Sequence, residues 1–305
     1  MLPKVCIGIT TFNRASVLKK SIQSALDQNY ENKEVFVVDD GSTDETPRLK
    51  DEFPQVRWHR SEATQGLRNA RNLMMSTTDA DLFCSLDDDS WFLSADGLSE
   101  GVKLFEGDPQ LGAVGFEILD QSRPTGESNR AVKPTSSFFG CGHLLRLSVV
   151  RTLGYYHNLP GEYGCEEKDL SLRMRDAGFE VVELRGVHVW HDKTFQTRDV
   201  YRQHFSGVLN DLAFALHRAP LSLLFAVIPL KILSHLRFAM GFGLRDFTKA
   251  SDYDRRIRTE HGRFAFLAPT IHAVCTFAAS GLSTLRHRHP VSVGAFLEFI
   301  ARGRQ

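Results

Sequence analysis

Three consecutive carboxylates, Asp87, Asp88 and Asp89, follow the short apolar run Leu82-Phe83-Cys84-Ser85-Leu86. Hard divalent cations such as Mg2+ and Mn2+ take oxygen ligands, usually one or two carboxylates together with phosphate oxygens and water. Acids gathered at the C-terminal end of a buried strand therefore suit a metal-bridged diphosphate. The competing reading is an acidic turn that caps the next segment. A calcium loop of the EF-hand type fits poorly, because no glycine occupies the sixth position from Asp87 and Leu98 stands where the closing Glu is required.

The elements around this cluster repeat. Val5 to Ile9 reads as a strand ending at Thr10-Thr11-Phe12-Asn13-Arg14, and Ser16 to Gln28 carries Val17, Ile22, Ala25 and Leu26 at helical spacing. Glu34 to Val38 reads as a second strand, stopped by Asp39-Asp40-Gly41-Ser42. A helix follows from Asp44, Val56 to His59 reads as a third strand, and a helix covers Asn69 to Ser76. Strand, polar loop and helix in repetition imply an α/β domain with a mostly parallel sheet flanked by helices. Ligands of such sheets bind beyond the carboxyl ends of the strands. The polar loops at Thr10, Asp39 and Asp87 all lie at those ends, so they are expected to converge on one crevice suited to a nucleoside diphosphate.

Composition narrows the classes. A chain of 305 residues with 42% hydrophobic content can bury a substantial core. Lys plus Arg balance Asp plus Glu at 37 each, which removes the electrostatic argument for nucleic acid as the main partner. The five cysteines are scattered without a C-x-x-C pair, so neither a disulfide framework nor a zinc ribbon is indicated and a reducing cytoplasm is expected. Met1-Leu2-Pro3-Lys4 leads straight into the first strand and provides no secretory core.

In order and approximate spacing, Thr10-Thr11-Phe12-Asn13-Arg14, Asp39-Asp40-Gly41-Ser42, Gly66 with Ala70-Arg71-Asn72, and Leu86-Asp87-Asp88-Asp89 resemble the nucleotide-sugar half of family 2 glycosyltransferases with the GT-A fold. The resemblance implies a catalytic domain over 1–205, with a Rossmann-like nucleotide-sugar-binding half over 1–95 and an acceptor-binding half over 96–205. It leaves 206–305 as a helical C-terminal appendage. It further implies that Thr10 and Thr11 line the base and ribose pocket and that one carboxylate of Asp39-Asp40, preferably Asp40, bonds the pyrimidine edge. Arg71 would approach the base or diphosphate, Asp87 and Asp88 would hold ribose and water ligands, and Asp89 would bind Mn2+ or Mg2+ directly. Each has a structural alternative: Asp39 suits the turn before Gly41, and Arg71 suits a helix-surface ion pair.

The second half carries complementary chemistry. Ser137-Phe138-Phe139-Gly140-Cys141-Gly142-His143 precedes a helix over Ser148 to Leu153. Similar small-residue turns in the family sit beside the acceptor, which implicates Gly140 and Gly142, although both also suit backbone bends. Tyr163-Gly164-Cys165-Glu166-Glu167-Lys168-Asp169 is similar to the family's segment in which an acidic pair opens a helix. Sugar transfer needs a base for the acceptor hydroxyl's proton, and a carboxylate suits that role. Glu167 is the candidate and Glu166 the alternative. The family more commonly has Asp there, and both acids also suit a helix N-terminus by charge. Asp169 and Arg173, four apart, read as a structural pair. His191 ends an alternating strand where the family often has a metal- or diphosphate-binding His. His188, in the same strand, is the second candidate.

Taken together, the resemblance implies inverting transfer of one hexosyl or deoxyhexosyl unit from a UDP, dTDP or GDP sugar to a hydroxyl of a glycan or lipid-linked acceptor, by analogy in cell-envelope glycan synthesis. The Gln-x-x-Arg-Trp signature of processive synthases is not evident after His191, where the chain reads Tyr201-Arg202-Gln203-His204-Phe205. A sugar-nucleotide-forming nucleotidyltransferase is one alternative, but it would want a glycine-rich basic loop after the first strand. A non-catalytic glycan- or membrane-binding module that keeps only the fold is the other.

Past residue 206 the chain turns apolar. Ala219 to Leu236 contains one charge, Lys231, and Phe264 to Leu285 contains none, with Pro220, Pro229 and Pro269 as interruptions. A membrane span needs about 20 mostly apolar residues, so length permits a weak span at the second stretch, which six polar residues dilute. Arg218, Lys231, Arg237 and Arg245 border the first stretch, a pattern that suits helices lying on an anionic lipid surface. A peripheral position at the inner face of the cytoplasmic membrane is expected, with Arg286-His287-Arg288-His289-Pro290 as a further lipid contact. Packing onto the catalytic domain is the alternative.

Overall fold

The computed structural model describes residues 2–192, 199–242, 252–262, 264–285 and 288–303. Arg245, Arg286 and His287, expected near lipid, lie outside the described residues. The chain begins with β1 (Val5–Thr11), α1 (Ala15–Leu26), β2 (Lys33–Asp39), a 3-10 turn (Thr46–Arg48) leading into the short α2 (Leu49–Glu52), β3 (Arg57–Arg60), α3 (Leu67–Thr77) and β4 (Leu82–Asp87). It continues through β5 (Ser90–Phe92), α4 (Gly97–Gly107), β6 (Leu111–Leu119), β7 (Ala131–Pro134), β8 (Gly142–Arg146), α5 (Leu147–Leu153), α6 (Glu166–Asp176) and β9 (Glu180–His191). The remaining elements are helices: α7 (Val200–Arg218), α8 (Leu221–Ala239), α9 (Asp252–His261), α10 (Leu267–Leu285) and α11 (Val293–Arg302).

Among the described residues the strands form one sheet in the order β3-β2-β1-β4-β8-β6-β9-β5, with β7 on β9. The expected parallel pairing holds from β3 through β4. Beyond β4 the sheet is mixed, because β8 runs antiparallel to both β4 and β6. Parallel neighbours need a crossover, which helices supply in the first half; no helix separates β6 from β8, so that return is antiparallel.

On one face of the sheet, Val5, Ile7 and Ile9 of β1 and Val35 and Val37 of β2 pack with Leu18, Ile22 and Ala25 of α1. The helical positions recur at the spacing the sequence shows. Gly8 lets α3 approach the other face: a Cβ there would meet the Phe83 ring at 2.5 Å and the Met74 sulfur at 2.8 Å.

Two compact units result, Met1–His157 with Arg173–Lys193 and Asn158–Leu172 with Thr194–Gln305. The division therefore passes through α6, between Leu172 and Arg173, and also falls at 157/158 and 193/194. Hydrogen bonds within the second unit explain it. The Asn210 side chain of α7 accepts from Gly161 N–H (2.6 Å) and donates to the carbonyls of Gly161, Tyr163 and Gly164 (3.1, 2.9 and 3.0 Å). Arg218, at the end of α7, binds both carboxylate oxygens of Asp169 (2.6 and 3.2 Å). Arg173, expected to pair with Asp169, donates to the carbonyls of Leu153 and Tyr155 in the first unit (2.7 and 2.6 Å).

The second unit's core joins Leu209, Leu212 and Leu216 of α7 to Leu224 of α8, Ala273 and Phe277 of α10, and Phe296 of α11. Pro220 forms the N-cap of α8, which continues through Pro229. Among the described residues, the helix with the length and composition to cross a membrane is α8, which lies in the first apolar stretch. Only 6% of its apolar window is buried, whereas α10 contributes Ala273 and Phe277 to the core.

Candidate functional site

The ends of three strands lie in step. Thr10 of β1 pairs with Val38 and Asp87, and Thr11 pairs with Asp39. The loops after β1 and β2 are laced together: Asn13 N–H donates to Ser42 Oγ (2.8 Å), and Asn13 Oδ1 accepts from Thr43 N–H (2.7 Å). Asn13 adopts a left-handed φ of 54°, a conformation Asn tolerates better than most residues. The acidic pair has divided duties. Asp39 Oδ1 accepts from Ser42 N–H (2.8 Å), and its Oδ2 makes no hydrogen bond among the described residues but lies 3.5 Å from Arg60 Nε. Asp40, preferred for the base, accepts from the N–H groups of Gln65 and Gly66 (2.8 Å each) and so fastens the loop that leads into α3.

The triple acid is threaded with cations. Arg71 of α3 is 1% exposed, so it is not a helix-surface residue. It donates to Asp87 Oδ1 (2.7 Å) and to the Gly140 carbonyl (3.0 Å). Arg14, at the end of the first polar loop, meets Asp89 Oδ2 (2.6 Å) and approaches Asp88 Oδ1 (3.6 Å). Register places Ser90 of β5 opposite His191 of β9, and the imidazole Nε2 sits 3.2 Å from Asp89 Oδ1. The turn is fixed by Ser90, whose hydroxyl accepts from Asp87 N–H (2.8 Å) and donates to the Cys141 carbonyl (2.9 Å). Ser21 of α1 donates to the Ser90 carbonyl (2.6 Å).

Electrostatics follow from this crowding. Burial pushes Asp88 up to about 7; the charges of Asp89 and Asp87 add to the rise, while Arg14 and the Thr11 hydroxyl oppose it. Burial pulls His191 down, but its bonds to Asp89 and Cys141 outweigh that and raise it to about 10. A metal ion bound at this imidazole would need the neutral ring, so its binding would release the proton to solvent. The donors suit such an ion: one atom each from Asp87, Cys141 and His191 lies within 4.8 Å of the others. Asp89, expected as the direct ligand, touches His191 and gives its other oxygen to Arg14.

The remaining candidates divide between the units. Gly142 opens β8, where a Cβ would meet Ile118 at 2.7 Å and Val189 at 3.2 Å, so packing alone requires glycine there. The Gly140 carbonyl is engaged by Arg71. His188 lies 3.3 Å from the fully buried Glu117, away from the triple acid's own partners. In the second unit, Glu166 begins α6 and is buried, whereas Glu167 is half-buried. Sequence reasoning left Arg14, Cys141 and His143 without roles. His143 is fully buried, with Nδ1 2.9 Å from the Phe139 carbonyl and Nε2 3.0 Å from the Tyr156 hydroxyl. The one sequence signal for Arg14 was its place at the end of the first polar loop; Cys141 had only its flanking glycines.

Known proteins resemble this chain in sequence and in fold. Residues 6–151 match the sequence profile of the family described as Glycosyl transferase family 2. EpsE of Bacillus subtilis, assigned as a glycosyltransferase, is 26% identical over 197 residues, which cover 60% of this chain and 70% of EpsE. The mannosyltransferase PcManGT of Pyrobaculum calidifontis, solved with GDP-Man and Mn2+, aligns at a TM-score of 0.58 and 17% identity over 99% of this chain and 87% of its own. TarS of S. aureus, solved with UDP-GlcNAc, aligns at 0.62 and 13% identity over 91% and 92%. At such identities the solved structures speak to the fold, which is GT-A. With the profile match spanning the three acidic strand ends, residues 6–151 form a glycosyltransferase family 2 domain, and the chain is a glycosyltransferase.

Proposed function

We propose that the enzyme transfers a single sugar from a nucleoside diphosphate sugar to a hydroxyl of a glycan or lipid-linked acceptor, with a divalent metal ion and inversion at the anomeric carbon. One observation carries this reading: Thr10 and Thr11, Asp39 and Asp40, and Asp87 to Asp89 end neighbouring strands in one register, with Arg14, Arg71 and His191 set among the acids. The GDP-Man and UDP-GlcNAc complexes of PcManGT and TarS support a nucleotide-sugar donor.

In this reading Thr10, Thr11 and the Asp39-Asp40 loop receive the base and ribose. Asp39 offers its unbonded oxygen, and Asp40 offers the lone pairs left over by Gln65 and Gly66. Asp87 and Asp88 hold the ribose and water, and Asp89 and His191 border the ion. When bound, the ion neutralises charge on the departing nucleoside diphosphate. Arg71, desolvated and fixed by two hydrogen bonds, adds a preorganised positive charge. Glu167, the more accessible acid of its pair, takes the acceptor hydroxyl's proton as that oxygen attacks the anomeric carbon. The bond to the diphosphate breaks on the opposite side, so configuration inverts without a covalent intermediate. Gly140 and Gly142 place backbone beside the acceptor, and α8 meets a membrane surface from the cytoplasmic side.

Calorimetric titration with UDP, dTDP, GDP and CMP, each with and without Mn2+, tests the donor site in the native protein and in Asp89→Ala. One nucleotide is expected to bind in a metal-dependent way, with that dependence lost in the variant. Failure of the native protein to bind any of them overturns the reading.

A further inference from the structure

We propose that the thiol of Cys141 is itself a metal ligand, forming with Asp87 and His191 a centre that selects softer divalent ions, Mn2+, Co2+ or Zn2+, over Mg2+. The inference rests on the reading that the acidic strand end holds a divalent ion, and it moves Asp87, given above to ribose and water, onto that ion.

Cys141 differs from the other cysteines. Cys84 and Cys165 lie within the apolar cores of the two units, as expected of cysteines that serve as small apolar side chains. Cys275 is exposed. Among the described residues, Cys141 alone places its sulfur within 4.8 Å of both a carboxylate oxygen and an imidazole nitrogen. Its position is held from both sides. The Gly140 carbonyl accepts from Arg71 (3.0 Å), the Cys141 carbonyl accepts from Ser90 Oγ (2.9 Å), and Gly142 N–H donates to the Phe139 carbonyl (3.3 Å). Arg71 occupies Asp87 Oδ1, leaving Oδ2 for an ion.

The geometry is compatible with coordination. A four-coordinate ion with oxygen and sulfur at their usual bond lengths separates neighbouring donors by roughly 3.5 Å. Donors already within 4.8 Å close on such an ion through side-chain rotation. The chemistry then sets the preference. Mg2+ demands oxygen ligands in a near-octahedral shell and keeps its waters, whereas a thiolate and an imidazole favour Zn2+, Co2+ and, more weakly, Mn2+. Coordination replaces the S–H bond with a metal–sulfur bond and releases that proton to solvent, together with the imidazolium proton of His191.

Co2+ is the probe, because a thiolate ligand gives it a near-ultraviolet charge-transfer band that oxygen and nitrogen ligands do not. The full chain carrying Cys275→Ser is titrated anaerobically with Co2+ and followed by absorption and calorimetry together. The expected result is a saturable band at one equivalent. Adding Cys141→Ser should abolish the band and weaken Co2+ and Zn2+ binding about tenfold or more, the least that loss of even an outer partner costs a metal site. Mg2+ binding should be unaffected. Calorimetric binding of Co2+ without the band overturns the thiol ligand and leaves the metal reading standing; no binding of Co2+ or Mn2+, with or without UDP, overturns both. A second measurement needs no Cys141 variant: Zn2+, but not Mg2+, should slow alkylation of Cys141 by iodoacetamide as read by mass spectrometry. Equal alkylation with and without Zn2+ counts against the proposal.

Discussion

His143 illustrates how a single buried side chain ties pH to stability. Burial, with Arg71 adding to it, holds its imidazole down to about 3, while its two hydrogen bonds keep the neutral ring in place. In the unfolded chain the same ring takes a proton near pH 6.5. Between those values the unfolded state binds the extra proton, so stability falls as pH drops from about 6.5 toward 3, with a loss of about 3 kcal/mol by pH 4.5. His143→Gln should remove this component: urea titrations at pH 7 and 4.5 should differ less in the variant than in the native protein, and an unchanged difference would refute the assignment. For catalysis, Glu167→Gln should leave nucleotide binding near normal and lower transfer about 10²- to 10⁴-fold, the usual share of a general base. Transfer retained at native rate would move the base elsewhere, first to Glu166. Residues whose roles follow from their own strand, Thr10, Asp39 and Asp87 among them, were legible from sequence because a strand end announces itself. Arg14 and Cys141 were not, since Arg14 meets Asp89 from 75 positions away and Cys141 is brought beside Asp87 and His191 by the registers of β8 on β4 and β9 on β5, which no local pattern encodes.

The alternation of strands and helices through α3 was readable for the same local reason, and the periodicity of α1 matched the face it buries. The mixed half of the sheet was not readable. Short strands such as β5 and β7 take their place from pairing with β9, not from propensity. The strap between α7 and α6 was also hidden, because Asp169 lies 49 positions from Arg218. That pair is almost wholly buried, with the two side chains 6% and 3% exposed. Removing one partner strands the other charge away from water, so Arg218→Met should cost about 3 to 5 kcal/mol, and pairing it with Asp169→Leu should recover much of the loss. Urea unfolding of the single and double variants reads this directly. If the single variant loses under 1 kcal/mol, as a solvated surface pair would, the strap is not a determinant of the second unit.

Across the molecule, helix α8 presents an exposed apolar arc. Leu224, Val227, Ile228 and Ile232 pack against the second unit's core, and Lys231 and His235 turn inward onto Asp211 (2.7 and 3.0 Å). Leu221, Phe225, Leu230 and Leu233 occupy the opposite arc, with Phe225 83% exposed. Lys231 and His235 thus lie on the packed side while large apolar residues face outward, unlike a solvated helix. The basic border expected from sequence is also weaker than it looked, since Arg218 and Lys231 are consumed by Asp169 and Asp211. If α8 meets lipid, apolar insertion must supply most of the affinity and anionic headgroups little. Flotation with neutral phosphatidylcholine vesicles should therefore recover the protein nearly as well as vesicles containing phosphatidylserine. Recovery should vary little between low and physiological salt, where surface attraction of basic residues would be screened. Phe225→Glu with Leu230→Glu should abolish flotation while leaving thermal unfolding nearly unchanged, because neither side chain contributes to the core. Flotation that requires anionic lipid and collapses with salt would assign binding to basic residues instead of α8. No flotation with either vesicle would remove the membrane from the proposed function while leaving the donor site untouched.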